Sequence, residues 1–213
     1  METILSKSLI ELVKKRSENF PVEGFVLGVG PAKPRFLLLG EAPGKVESLN
    51  GIPFTGRAGK ELMTFFDFLD VTREDVFITS TFRSRPFIEK EKIDKKTGEK
   101  IIRKYNRPPT KKEIITHAPL LDSEIKTINP PIILTMGNSG LQRLIGKQAR
   151  IMQVHGRLYE GPILSLDSID ASTFSFTQKN YRVFATFHPA AIFYNRKLLD
   201  LIYEDLSHFK KYI

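Results

Sequence analysis

An apolar run, Phe36-Leu37-Leu38-Leu39, ends on a glycine and opens into a loop with five glycines and two prolines within residues 40–59. A short apolar run bounded in this way predicts a strand buried on both faces. The segment behind it lets the backbone turn sharply and come close to a ligand. In open α/β sheets, ligands bind beyond the carboxyl ends of the strands. The loop carries an acid directly after the strand, Glu41, and one aromatic ring, Phe54. Its simplest reading is a pocket for a planar ligand with one carboxylate; the bland alternative is an acid that only caps backbone N–H groups. Neither glycine pattern is a nucleotide fingerprint. Residues 40–46 lack the Gly-Lys-Ser/Thr ending of a P-loop, and Gly28-Val29-Gly30 has no third glycine.

Strand and helix signals alternate along the chain, which predicts a three-layer α/β/α fold with a central, mostly parallel four-stranded sheet. Strands are expected at 36–39, 76–79, 132–136 and 182–186, and helices over 58–69, 111–128, 139–145 and 196–212. Thr110 with Glu113 three residues on is a capping box for the second of these helices, and Pro130-Pro131 stops it. Weaker strand pieces at 153–159 and 162–166 flank Gly161-Pro162 and suggest a hairpin there. Residues 1–213 read as a single domain carrying a basic insertion at about 88–107, turning at Lys95-Lys96-Thr97-Gly98.

The chain has no cysteine, which excludes disulfides, zinc–thiolate sites and cysteine-held iron–sulfur clusters; no metal or cofactor is expected. Residues 1–17 pattern as an amphipathic helix rather than a signal peptide. No apolar run approaches the roughly 20 residues of a membrane span. A cytoplasmic, monomeric protein without membrane contacts is expected. Of the formal charge of +9, the segment from Arg83 to Lys112 holds +8, with twelve basic residues against four acids. So local an excess is an electrostatic footprint for a polyanion, whereas a solvated lysine-rich loop is the common fate of charge runs. Arg83, Arg85, Lys95, Lys96 and Lys100 are the candidate phosphate contacts.

Each expected strand ends on residues with chemical potential. Glu41 and Ala42 follow the first, and Ser80, Thr81 and the Arg83-Ser84-Arg85 run follow the second. Gly137-Asn138-Ser139 follow the third, and His188-Pro189-Ala190-Ala191-Ile192-Phe193-Tyr194 the fourth. In a parallel sheet these ends share one edge, so the residues can line one pocket.

Gly40-Glu41-Ala42-Pro43-Gly44, Pro53-Phe54, Gly56-x-Ala58-Gly59 and Thr186-Phe187-His188-Pro189-Ala190, in this order, resemble the family 4 uracil-DNA glycosylases. Arg85-Pro86, Pro109-Thr110-x-x-Glu113-Ile114 and Ala118-Pro119-x-Leu121 extend the resemblance between them. It implies a monofunctional DNA glycosylase that hydrolyses the N-glycosidic bond of uracil, or a related deaminated base, flipped out of DNA. By position, Glu41 and Ala42 would line the base pocket, with the Glu41 carboxylate orienting the hydrolytic water. Phe54 would stack on the base, and His188 would hydrogen-bond its O2 and stabilise the departing anion. Ile192 and Phe193 would form the apolar wedge that enters the stack. No lysine nucleophile is offered, so strand cleavage through a Schiff base is not expected.

Three departures accompany the resemblance. The family holds a four-iron cluster with four cysteines, and here two of those positions are Ser84 and His117 while the N-terminal pair has no counterpart. Ser80 stands where the family reads the uracil edge with an asparagine, and one hydroxyl cannot match an amide's paired donor and acceptor. The basic insertion is longer than usual, and Tyr194-Asn195 intervene before Arg196. A catalytically weak DNA- or lesion-binding protein on the same fold is the alternative function. A small-molecule hydrolase would need a nucleophile elbow or a metal-ligand cluster, and the sequence has neither.

Overall fold

The structure is a computed structural model that describes residues 3–94 and 97–213. The elements run α1 (Lys7–Ser17), β1 (Val22–Glu23), β2 (Phe36–Gly40), α2 (Lys45–Asn50), α3 (Arg57–Leu69), β3 (Val76–Ser80), β4 (Arg85–Ile93) and β5 (Lys100–Asn106). They continue with α4 (Lys111–Ile128), β6 (Ile133–Met136), α5 (Gly137–Ile145), α6 (Ile151–Val154), β7 (Leu158–Leu166), β8 (Phe174–Thr186) and α7 (Leu198–Phe209). The main sheet has the order β3-β2-β6-β8-β7, with the first four strands parallel and β7 antiparallel at the edge.

Strand β2 lies inside the sheet between β3 and β6, and every one of its residues is buried. Its side chains alternate between the two faces of the sheet. Phe36 and Leu38 meet α3 and α7 through Leu62, Phe65, Phe66, Ile202, Leu206 and Phe209. Leu37 and Leu39 meet α4 and α5 through Leu121, Ile125, Ile128 and Leu144. Cover on both faces is why the run is apolar without alternation. Helix α4 begins with the expected box: Glu113 N–H donates to Thr110 Oγ1 at 3.3 Å, and Thr110 N–H donates to the Glu113 carboxylate at 2.7 Å. It ends on Asn129 in the left-handed conformation, ahead of Pro130.

The sheet has five strands rather than the expected four. Gly161-Pro162, read from the sequence as a turn, lies inside β7, and its register against β8 shifts between Pro162 and Leu164. An edge strand with an irregularity tolerates a residue that has no N–H to donate. The hairpin partner of β7 is therefore β8, extended to thirteen residues, and part of the expected strand at 153–159 is the short helix α6. The basic insertion forms a second antiparallel pair, β4 with β5, joined to β1 in a three-stranded sheet. Among the described residues, no helix is long and apolar enough to cross a membrane.

Candidate active site

The register pairs Gly40 with Ser80 and Met136 with Thr186, so four parallel strands end on one edge and their loops meet there. The loop after β2 is organised by Glu47, a carboxylate only 8% exposed. It accepts from Gly44 N–H at 3.1 Å, Thr55 N–H at 3.1 Å and Gly56 N–H at 2.8 Å. Gly44 and Gly56 are the N-caps of α2 and α3, so one negative charge serves two helix N-termini and closes the loop between them.

That closure sets Phe54, whose φ of 52° is left-handed and costs a side chain about 1–2 kcal/mol. Arg73 donates to Phe54 O at 3.1 Å and to Pro53 O at 2.5 Å, holding both carbonyls. Glycine is required on two sides. A Cβ on Gly59 would stand 2.0 Å from Phe54 O, and one on Gly40 would stand 2.8 Å from the Phe54 ring. The ring is thereby brought to His188, with centroids 5.7 Å apart and planes inclined by 28°.

His188 caps the 3-10 turn Pro189–Phe193 by accepting from Ala190 N–H at Nδ1, 3.1 Å away. With Nδ1 an acceptor, the ring proton sits on Nε2 and can be donated. Burial lowers the imidazolium pKa to about 4, against a small opposing effect of the Glu47 charge, so the ring is neutral at pH 7. Glu41 accepts from Ser139 Oγ at Oε2, while its backbone carbonyl accepts from Thr81 Oγ1 at 2.6 Å and Phe82 N–H at 3.1 Å. Ser139 thus holds the carboxylate while the residues after β3 hold the Glu41 backbone, and Ala42 sits half-buried beside it. Ser80, at the end of β3, donates its hydroxyl to Phe82 O at 2.8 Å and so offers only lone pairs to a neighbour.

Several residues expected at a DNA surface are placed elsewhere. Arg83 is wholly buried, its guanidinium 2.6 Å from Glu124 and bonded to Thr79 Oγ1, because the chain leaving β3 turns this side chain into the core. Arg85 is 4% exposed and bound to Glu23 at 2.7 Å and Asn106 at 2.6 Å. Neither is free to meet phosphate. Ile192 is 3% exposed and belongs to the core, so it is no wedge in this conformation. Phe193 lies under the Arg57 guanidinium at 3.7 Å. The exposed ring of this segment is Tyr194, at 92%. Lys100 is exposed, 3.5 Å from Glu91. Lys95 and Lys96 lie outside the described residues.

An iron–sulfur cluster does not fit the residues present. The chain offers no thiolate, and both nitrogens of His117 are engaged. Nδ1 accepts from Arg83 N–H at 3.1 Å, and Nε2 lies 2.8 Å from Ser17 Oγ, which in turn donates to Val13 O. Phe82 and Phe25 pack on the ring, with centroids at 4.1 and 5.6 Å, and Ser84 is buried nearby in sequence to Arg83. Burial, aided by the Arg83 charge, lowers the His117 pKa to about 3.

Sequence reasoning missed Glu47 and Arg73, and it left Tyr194 and Ser139 without a role. The spacing of Gly44 and Glu47, three apart, is a capping signal that could have revealed the first. Arg73 has no local signal, since its partners lie about twenty residues away.

Comparison with known proteins matches residues 27–213 to the model of the uracil DNA glycosylase superfamily. The type-4 uracil-DNA glycosylase of Saccharolobus solfataricus is 32% identical over 191 residues, covering 87% of this chain and 74% of that protein. That of Sulfurisphaera tokodaii is 31% identical, covering 99% of this chain and 81% of that protein. That of Archaeoglobus fulgidus is 30% identical, covering 88% and 79%.

Proposed function

The chain belongs to the uracil DNA glycosylase superfamily, and from that premise we propose that it hydrolyses the N-glycosidic bond of uracil in DNA as a step of base excision repair. The observation that carries this reading is the neutral His188, its free Nε2–H beside Phe54 at the edge where Glu41 also stands. A flipped base stacks on Phe54. The C1′–N1 bond breaks with its electron pair leaving on the base, and His188 Nε2–H donates to O2, where negative charge gathers. Water held by Glu41 supplies hydroxyl to C1′, and its remaining proton ends on the released base. Donors already aimed at developing charge cost no reorganisation during the reaction.

Ser80 accepts from the base, since its own proton is committed to Phe82 O. Uracil N3–H suits that acceptor, but so does an exocyclic amine, so related deaminated or damaged bases compete better than they would against an amide. Tyr194, rather than Ile192 or Phe193, fills the gap beside the extruded nucleotide, because it is the exposed ring of its turn. The protein works as a monomer in the cytoplasm, one glycosylase domain throughout, without membrane contacts.

Single-turnover release of uracil from a duplex oligonucleotide tests the reading. Wild type should release the base without cutting the strand, and His188→Ala should be slower by about 10²–10³, the cost of one charge-stabilising donor. DNA binding without any base release from uracil or other lesions would replace this reading with that of a lesion-binding protein.

A further inference from the structure

The pairing of β4 with β5 sorts the charges of the basic insertion onto two unlike faces. Directly paired residues share a face. One face holds Ile88 with Tyr105, Lys90 with Arg103, and Lys92 with Ile101. The other holds Glu89 with Lys104, Glu91 with Ile102, and Ile93 with Lys100. On the second face, acids balance the cations: Lys100 is 3.5 Å from Glu91, and Lys104 is 2.8 Å from Glu23 and 4.0 Å from Glu89. Within the paired strands the first face has three cations; its alternation runs on to Asp94 and Glu99 at the turn, where Asp94 N–H donates to Glu99 O at 2.8 Å and Arg103 reaches Asp94, 3.7 Å away. Among the described residues, no ion pair engages Lys90 or Lys92; Lys90 stands 5.9 Å from the ring of the half-exposed Tyr105.

We propose that this face, led by Lys90 and Lys92, grips the phosphate backbone of the duplex beside the base pocket, and that the opposite face does not. The proposal rests on the reading of the chain as an enzyme acting on DNA. The partner follows from charge complementarity and from where the hairpin is rooted. Strand β4 starts five residues after Ser80, and the Asn106 amide at the end of β5 lies 3.7 Å from where a Cβ on Gly44 would be. Lys90 and Lys92 stand about 6.8 Å apart along the strand, far enough to meet two phosphates instead of sharing one. Lys100, a phosphate contact on the sequence alone, belongs to the compensated face. Forming a new contact there would first break the pair with Glu91.

Two double variants of equal charge change separate the faces: Lys90→Gln with Lys92→Gln, and Lys100→Gln with Lys104→Gln. Binding to a uracil-free duplex is followed by fluorescence anisotropy across a salt series, with thermal melts to check that both variants fold. Each lost phosphate contact lowers the log–log salt slope by about 0.9, so the first pair should lower it by about 1.8 and the second by less than about 0.5. Base release on saturated uracil-containing DNA should be unchanged in both, since phosphate contacts position and do not read the base. Equal loss of slope in the two variants, or loss in the second alone, overturns the proposal. Steep salt dependence that the first pair abolishes, in a protein that releases no base, would instead sink the glycosylase reading and leave this one standing. If a variant fails to fold, the single changes Lys92→Gln and Lys100→Gln carry the same comparison at half the amplitude.

Discussion

Replacing Glu47 by glutamine keeps the shape of the side chain but removes its charge and one of its two acceptors. In the structure, Oε1 takes Thr55 and Gly56 N–H while Oε2 takes Gly44 N–H, all at 2.8–3.1 Å. The amide oxygen can keep one of these sides; the NH₂ group then faces an N–H donor on the other. A hydrogen bond to a charged group is worth about 1.5–3 kcal/mol and a neutral one about 0.5–1.5. Losing one charged bond with its donor left buried, and weakening the other two, should cost about 3 kcal/mol of stability. Urea denaturation reads that directly as a lower midpoint at unchanged slope. The chemical step should suffer separately, because Glu47 fixes the loop that sets Phe54. Displacement of a positioning loop by about 1 Å costs roughly 10²-fold, so single-turnover base release on saturating DNA should fall by about that factor well below the unfolding midpoint. A purely structural role would lower the midpoint and spare this rate. A Glu47→Gln protein with the wild-type midpoint and rate would refute the account of how the pocket is held.

Three further outcomes follow from the same geometry. His188 has its pKa lowered to about 4, so its neutral donor form persists as pH falls through 6.5 and is lost only near 4; the single-turnover pH profile should show no limb near 6.5 that disappears in His188→Asn. Ser80→Asn should raise the ratio of uracil release to release of other bases, by pairing a donor with an acceptor at the end of β3, and an unchanged ratio in competition assays would assign the base edge to other groups. The folded state keeps His117 neutral down to about pH 3 while the unfolded chain protonates it near 6.5. Stability should therefore be lost as pH falls from 6.5 towards 3, by up to about 1.4 kcal/mol per unit. Denaturation of His117→Gln beside wild type should give a difference curve with that slope, and a flat difference would mean the ring is not held neutral.

Legibility from the sequence followed the range of the interactions. The strand at 36–39 and the helix over 111–128 were readable because burial on both faces, a capping box and a stop signal are all local. The meeting of Phe54 with His188 was readable, since parallel strands must end on one edge. Arg83 misled because nothing beside it announces Glu124, its partner 41 residues away, and an arginine in a basic run reads as exposed. Ile192 misled for a similar reason: its neighbours reveal a turn, but only the packing against the sheet shows which side chain the turn buries. Gly161-Pro162 shows that a residue pair typical of turns can equally mark an irregular edge strand.

The seam at His117 bears on how this protein comes to exist in a cell. Ser17 and His117, a hundred residues apart, join α1 to α4 with atoms the ribosome has already supplied, and aromatic rings fill the space around them. Maturation of this region awaits no delivery of iron or sulfide. Chelators, which would strip a thiolate-held cluster, should leave the stability of this cysteine-free seam unchanged. This part of the fold depends on one imidazole staying neutral, so acid is the stress to which it answers.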